Sequence, residues 1–518
     1  MARRRCTKAS SVCPVPRRTI PRTWWPIDAT AGSGLPTIWA SAAARDAAGS
    51  EKTVRSSSSA SARSTVSILA DPHTGMWRKP SSGSPVQHYR PAMGDWMIGD
   101  DKRRRSTDQL RHLREANDGQ VDWDTEAPAD FTYLFHPDHV LVDADGVDDF
   151  EEAVARLDKG VLTEPPRRDD VTLLDGDLVR YLLPARQGGE TVGDVLDLLE
   201  DAGLRPGIAS PDHWFHVSPG GGGGNACPAV EPEETGLTEP WPPIAPQAKG
   251  SEVSVVVVDT GWHPPAATDP RTPWLTGVQG DDELNGPDLR PYAGHGTFIA
   301  GVVRCIAPET KVYVEGFAVG GVGGGGILES ALVVQLEEAL RHDPQVINLS
   351  AGCRTRRDRP SIAMRKFHDK HLKGRDCVLV AAAGNDSWAA PFWPAAFDWC
   401  VGVGSLDRDG RVSAYSNFGV SADVYALGRN VVNAFPDGTF TCHETPNKGD
   451  IRVFSTGLAR WSGTSFSAPV VAGLIAREIS ETGVSARDAR DAVLARSVYD
   501  SDPTIGPHQE LRQPYPHP

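Results

Sequence analysis

Cysteine is scarce. Eight residues in 518, with no C-x-x-C pair, exclude a disulfide-dense scaffold and a zinc ribbon. Long apolar runs are missing too: no stretch approaches 18 consecutive apolar residues, so no membrane span is predicted. Positive charge is in deficit, with 53 Lys and Arg against 68 Asp and Glu and a formal net charge of −15. That balance argues against a nucleic-acid partner held by a general basic field. What is abundant is glycine and proline, 52 and 42 residues, about 18 % of the chain against the usual ~12 %. The excess predicts long loops and linkers beside the folded parts, and the length suggests about three domains.

The charge is unevenly spread. Residues 1–70 hold eleven Lys and Arg against three Asp and Glu, with a Ser-rich run from Ser56 to Ser64 and no hydrophobic period. The basic start is not followed by the 7–15 apolar residues of a secretory signal, so the expected setting is cytoplasmic, with secretion the alternative if translation starts elsewhere, as at Met93. Residues 1–125 are read as a basic, largely disordered extension.

Residues 131–217 read as a small α/β unit. Phe131 to Val142 is strand-like, and Val147, Phe150, Val154 and Leu157 recur at helical spacing. Asp177 to Pro184 is a second strand. Thr191 and Asp194 open a helix as a capping box, Gly203 closes it, and Ile208 to Val217 is a third strand. Five consecutive glycines, Gly220–Gly224, then begin a Gly/Pro-rich linker over 218–249.

From Val253 the character changes. Val253–Val258 is a β-branched apolar run, the pattern of a parallel strand buried on both faces, and it ends in Asp259-Thr260-Gly261. Val312–Phe317, Val346–Leu349, Val378–Ala383 and Val401–Gly404 repeat it, with a helix expected over Ile327–Arg341. The alternation predicts a doubly wound parallel sheet over 250–500, followed by a tail at 501–518. Asp259 follows one such strand and Asn385, in Ala-Ala-Gly-Asn, follows another, at the edge where α/β sheets bind ligands. His295 sits in Gly-His-Gly-Thr-Phe-Ile-Ala-Gly, and Ser465 in Gly-Thr-Ser-Phe-Ser-Ala-Pro, a tight loop entering a helix. A serine hydroxyl needs a base to become a nucleophile, and the base needs a buried carboxylate to hold its tautomer. Ser465, His295 and Asp259 supply those types, while Asn385 and the Ser465 backbone N–H can donate to an oxyanion. Asp, then His 36 residues on, then Ser 170 further on is a chain order distinct from the chymotrypsin and α/β-hydrolase orders.

Together these motifs resemble the subtilisin-like serine peptidases, the subtilase or S8 family, over residues 250–480. The resemblance implies a subtilisin-like α/β domain and a serine endopeptidase (EC 3.4.21.-) acting on peptide or protein substrates, with Asp259, His295 and Ser465 catalytic and Asn385 at the oxyanion. It places Gly323 and Gly324 on one wall of the substrate cleft and Ser350, Ala351 and Gly352 on the other, with Phe392 and Trp393 near the floor of the primary pocket. The 131–217 unit resembles the family's ferredoxin-like propeptide, an intramolecular partner whose last strand enters the cleft. A monomer is expected, with neither nucleic acid nor membrane as partner.

Other readings are weaker. Gly321-Val-Gly-Gly-Gly-Gly326 matches a dinucleotide pattern, but no strand-end acid follows at ~20 residues, and a glycine tract matches easily by chance. No cofactor is expected, although the acidic run Asp281–Asp288 admits calcium and His368/His371 form a weak metal pair. Cys353, Cys377 and Cys400 read as buried free thiols. The competing functional class is a catalytically silent scaffold with the same fold, disfavoured because none of the four chemical residues is missing.

Overall fold

The computed structural model describes residues 99–125, 132–157, 161–186, 188–217, 231–248, 250–283, 286–317, 325–502 and 505–511. Its larger body is a nine-stranded sheet. The strands run in the order Val498–Asp502, Gly506–Glu510, Val424–Leu427, Val401–Leu406, Val378–Ala382, Val346–Leu349, Ser254–Asp259, Lys311–Gly316, Gln279–Gly280. Every neighbouring pair is parallel except the first, which is antiparallel. The reason is visible in one strand. Val255 and Val257 pack with Phe298, Val302 and Val470 on one face, while Val256 and Val258 pack with Leu332, Leu336 and Phe367 on the other. A strand with no polar face must be covered twice, which requires helices on both sides. They are His295–Ile306 and Thr464–Thr482 on the first face, Glu329–Ala339 and Ile362–Phe367 on the second.

The smaller unit has the chain order strand Leu134–Asp143, helix Val147–Arg156, strands Arg167–Arg168 and Leu178–Leu182, helix Val192–Asp201, strand Ala209–His216. Its strands lie fourth, first, third, second across the sheet, all antiparallel, which is the ferredoxin-like arrangement. The two-residue strand Arg167–Arg168 is exposed and has no apolar alternation, so the sequence pattern does not announce it. Thr191 caps its helix as expected: its Oγ1 accepts from Asp194 N at 3.1 Å, and Asp194 Oδ2 accepts from Thr191 N at 2.8 Å.

Three elements were not announced by the sequence pattern. The extension expected to be largely disordered over 1–125 contains a helix, Gly99–Ala116; residues 1–98 lie outside the described residues. Only Leu110 and Leu113 give that helix an apolar contact, against Val121, Leu134, Trp214 and Leu328, so no amphipathic period marks it. Polar bonds anchor the rest: Arg105 donates to Glu444 at 2.6 and 2.8 Å, Gln109 to Glu444 at 2.9 Å, and Thr445 to Asp108 at 2.8 Å. The helix expected from Ile327 begins instead at Glu329, because Gly326–Leu328 pairs antiparallel with Ala209–His216 and extends the small unit's sheet onto the larger domain. Finally, the tail contains the sheet strand Gly506–Glu510, paired with Val424–Leu427 through Tyr425. Within 218–249, residues 231–248 run along the larger domain, with Glu233 bridged to Arg460 and Trp241 to Val432.

Candidate active site

Asp259 ends a central strand and is fully buried, with its Oδ1 accepting from Thr260 N at 2.7 Å. The same oxygen lies 2.7 Å from His295 Nδ1. A carboxylate at this position accepts only, which puts the proton on Nδ1 and leaves Nε2 as the basic nitrogen. His295 is the first residue of its helix. The turn before it is held by Gly294 N donating to Glu283 Oε2 at 2.7 Å. Gly296 must be glycine, because a Cβ there would lie 2.4 Å from the Gly261 carbonyl. Trp461 meets the imidazole edge to face at 5.2 Å, and Phe466 lies 5.3 Å away, so the ring is 2 % exposed.

Ser465 is the second residue of helix Thr464–Thr482, at the end where the first backbone N–H groups have no helical acceptor. Its carbonyl accepts from Ser350 Oγ at 2.7 Å, and Ser350 Oγ accepts from Asn348 Nδ2 at 2.9 Å. Asn385 Oδ1 accepts from Thr464 N and Thr464 Oγ1, both at 2.9 Å, which fixes the amide and leaves Nδ2 as its free end. Ser350, Asn385 and Ser465 line one pocket, and the Asp259–His295 pair lies beside the residue after Ser465, with Phe466 5.3 Å from the imidazole.

The cleft is occupied by the chain itself. His216 N donates to Gly352 O at 3.0 Å, Gly352 N to His216 O at 3.1 Å, and Val217 N to Gly325 O at 3.0 Å. The small unit's last strand thus lies as an added strand between the Gly325–Leu328 and Ser350–Gly352 segments. Gly323 and Gly324 lie outside the described residues. Ser465 Oγ donates to the carbonyls of Ser350 at 3.1 Å and Val217 at 3.2 Å. In this occupied state the hydroxyl is engaged with backbone rather than with His295. Burial of the inserted strand shifts two of its groups: His216 is depressed to about 3, and Asp212 is raised to about 6 by burial, opposed by Arg180 and by bonds from Ser330.

Other candidates have different roles here. Asp281 accepts from Tyr313 Oη and Gly316 N, and Glu283 from Gly294 N, so both carboxylates serve the fold. His368 stacks on Trp399, and His371 lies 2.9 Å from Glu337. Among the described residues no three His, Cys, Asp or Glu form a metal-holding group. Cys353, Cys377 and Cys400 are buried and in no disulfide, as are Cys305 and Cys442.

No motif marks the seam between the two bodies. Residues 354–375 hold nine Arg and Lys against two Asp, whereas 132–217 hold 19 Asp and Glu against seven basic residues. Arg356, Arg357 and Arg359 converge on Glu200, the first two also on Asp197. Arg365 and Lys366 meet Asp143, and Lys370 meets Asp175 and Asp177. Beneath them His213 Nδ1 lies 2.9 Å from Glu329 Oε2, and Asp212 accepts from Ser330 N and Oγ at 2.9 and 2.6 Å. The charge contrast was readable; its pairing needed the fold.

Residues 250–505 match the family model described as the subtilase family, peptidase S8, and this part of the chain belongs to that family. Halolysin of Haloferax mediterranei is 30 % identical over 256 residues, covering 46 % of this chain and 44 % of that protein. M-protease of Shouchella clausii is 27 % identical over 238 residues, 44 % of this chain and 54 % of its own. The chain spans about half the length of these relatives, although it covers 76 % of subtilisin Savinase of Lederbergia lenta, at 27 % identity over 44 % of this chain. Among solved structures, fervidolysin from Fervidobacterium pennivorans aligns with TM-score 0.48 and 20 % identity, over 73 % of this chain and 60 % of that one.

Proposed function

We propose that the chain is a serine endopeptidase whose nucleophile is Ser465, and that residues 134–217 act as its intramolecular, propeptide-like inhibitor. The observation behind this reading is the pairing of a buried Asp259–His295 hydrogen bond of 2.7 Å with a serine hydroxyl 3.2 Å from the carbonyl that ends an inserted strand. With a substrate peptide in place of that strand, Ser465 Oγ attacks the carbonyl carbon while His295 Nε2 takes its proton. Asn385 Nδ2 and the Ser465 N–H receive the oxyanion. Collapse of the intermediate breaks the peptide bond, His295 returns the proton to the leaving amine, and water hydrolyses the acyl-enzyme by the same steps.

A fluorophosphonate that reacts with activated serines tests the nucleophile. Ser465→Ala is expected to abolish labelling and to lower peptide hydrolysis by at least ~10⁴-fold with the fold intact. Undiminished turnover in that variant would remove the mechanism. Asn385→Ala is expected to lower kcat by about 10²–10³ with little change in KM, because its bond forms mainly in the transition state. Self-processing is expected between Val217 and Gly250. Wild-type and Ser465→Ala chains that both stay full-length, while the wild type cleaves added peptides, would make 134–217 a permanent accessory domain.

A further inference from the structure

The seam holds a row of cations on the catalytic side. Arg356 Nη1 donates to Glu200 at 2.8 Å and Arg357 Nη1 at 2.7 Å, while Arg359 reaches both Glu200 oxygens. Asp197 meets Arg356 and Arg357, so three guanidinium groups share two carboxylates. Further along the segment Arg365, Lys366 and Lys370 pair with Asp143, Asp145, Asp175 and Asp177. These acids all belong to the small unit. The segment's own acids are Asp358 and Asp369, and Asp369 is engaged by Lys373. Departure of the small unit therefore uncovers a strip of like charge on a chain whose overall balance is −15.

The strip lies beside the path of the inserted strand. Arg356 N donates to His213 Nε2 at 3.1 Å, and Arg356 and Arg359 line a small gap together with Ala209, Ser210 and Pro211. Counted back from Val217, whose carbonyl meets Ser465, these neighbours lie four to eight residues upstream. Even with the small unit docked, the Arg357 side chain is 48 % exposed and that of Arg359 27 %.

We propose that the strip Arg356–Lys370 is a binding site for acidic polypeptide, selecting substrates that carry Asp and Glu upstream of the cleaved bond, beyond the residues held in the cleft. The inference rests on the peptidase reading above and deepens it. The small unit's carboxylates hold the strip until that unit leaves, and an incoming acidic segment then takes their place. Guanidinium forks bind carboxylates through paired, charge-assisted hydrogen bonds, and a row of like charges strengthens the attraction with each added acid. Peptide acids are the fitting ligand because side-chain carboxylates already sit on these cations at hydrogen-bond distance.

The test uses the full chain carrying Asp197→Ala and Glu200→Ala, which frees the guanidinium groups without removing the small unit. Two reporter amides share the sequence of residues 213–217, His-Trp-Phe-His-Val, preceded by six Glu in one and six Gln in the other. The Glu peptide is expected to show kcat/KM at least ~10-fold above the Gln peptide at low salt, chiefly through KM. That ratio should approach one at 1 M salt, where the Debye length is ~3 Å. Adding Arg357→Gln and Arg359→Gln should abolish most of the ratio, and Arg357→Lys with Arg359→Lys, which keeps the charge and guards against a misfolded variant, should restore part of it. Anisotropy of the fluorescein-labelled Glu and Gln peptides on the same chain with Ser465→Ala reads binding without cleavage. Equal binding of the two peptides overturns the site, and so does a preference that survives 1 M salt or the two Gln substitutions. Tighter binding of an RNA oligonucleotide than of the Glu peptide overturns the assignment to polypeptide. Selective binding of the Glu peptide, with neither peptide cut and Ser465 unlabelled by fluorophosphonate, overturns the peptidase reading and the role in substrate choice, while the acid-binding strip stands.

Discussion

The inside of the larger domain and its seam with the small unit are built from opposite materials. Around Ser254–Asp259 both sheet faces are packed with Val, Leu, Ile and Phe, and Val255 through Val258 are fully buried. At the seam the contacts are ionic: Glu200 alone is met by Arg356, Arg357 and Arg359, and the buried layer below contains Asp212, His213 and Glu329. Main-chain pairing of Ala209–His216 with Gly326–Leu328 completes the join. Apolar burial involves no charge to screen, whereas salt screens the exposed members of an ion-pair network, so the contrast separates a permanent core from a releasable contact.

The largest expected effect tests the permanent side. Phe298 is fully buried between Trp461 and Phe466, and Phe298→Ala should cost about 3–5 kcal/mol of stability. Denaturant midpoints should fall equally at low and high salt; a loss confined to low salt would break the comparison. Next comes the seam. Glu200→Ala strips the shared partner from three guanidinium groups, and removing one member of a largely buried ion pair should weaken docking by at least about 2 kcal/mol, ~30-fold. Labelling of Ser465 in the full chain should accelerate accordingly. The gap from wild type should narrow near 1 M salt, where the Debye length falls to ~3 Å.

The smallest effect separates two opposed groups on the inserted strand. Asp212, raised to about 6, binds its proton more tightly when docked, so its contribution to docking is present at low pH and lost as pH rises through 6. His216, depressed to about 3 from 6.5, favours docking at neutral pH, and that contribution is lost as pH falls from 6.5 toward 3. Between pH 7 and 5 the two contributions oppose each other and partly cancel in the wild type. Asp212→Asn should expose the His216 effect and weaken docking about 30-fold over the same interval. The ratio of variant to wild-type labelling at each pH removes the common chemical step, and a ratio independent of pH would break this account.

Much of the fold was legible because it follows local rules. Val346–Leu349 appears in the structure with the bounds its apolar run suggested, and the Thr191 cap lies where the Thr–Asp spacing put it. The helix Gly99–Ala116 was not legible, since most of what holds it is polar and comes from Glu444 and Thr445, more than 300 residues away. The strand Gly326–Leu328 was not legible: Ile327 and Leu328 fit the start of the helix expected over Ile327–Arg341, because nothing local tells them that a strand from another unit will pair with them.

By itself the sequence determined which residues can do chemistry: Asp259, His295, Asn385 and Ser465 stand in motifs whose residue types and order define their candidate roles. It also determined the buried strands, because a run such as Val255–Val258 has no stable place outside a doubly covered sheet. Tertiary structure alone decided that Ser465 faces the Val217 carbonyl, that six cations between Arg356 and Lys370 pair with acids of another unit, and that the Phe392 ring lies against Gly352 and Gly384. These are contacts between residues far apart in the chain. Local propensity has no term for them, and only the packing of the two bodies brings them within reach.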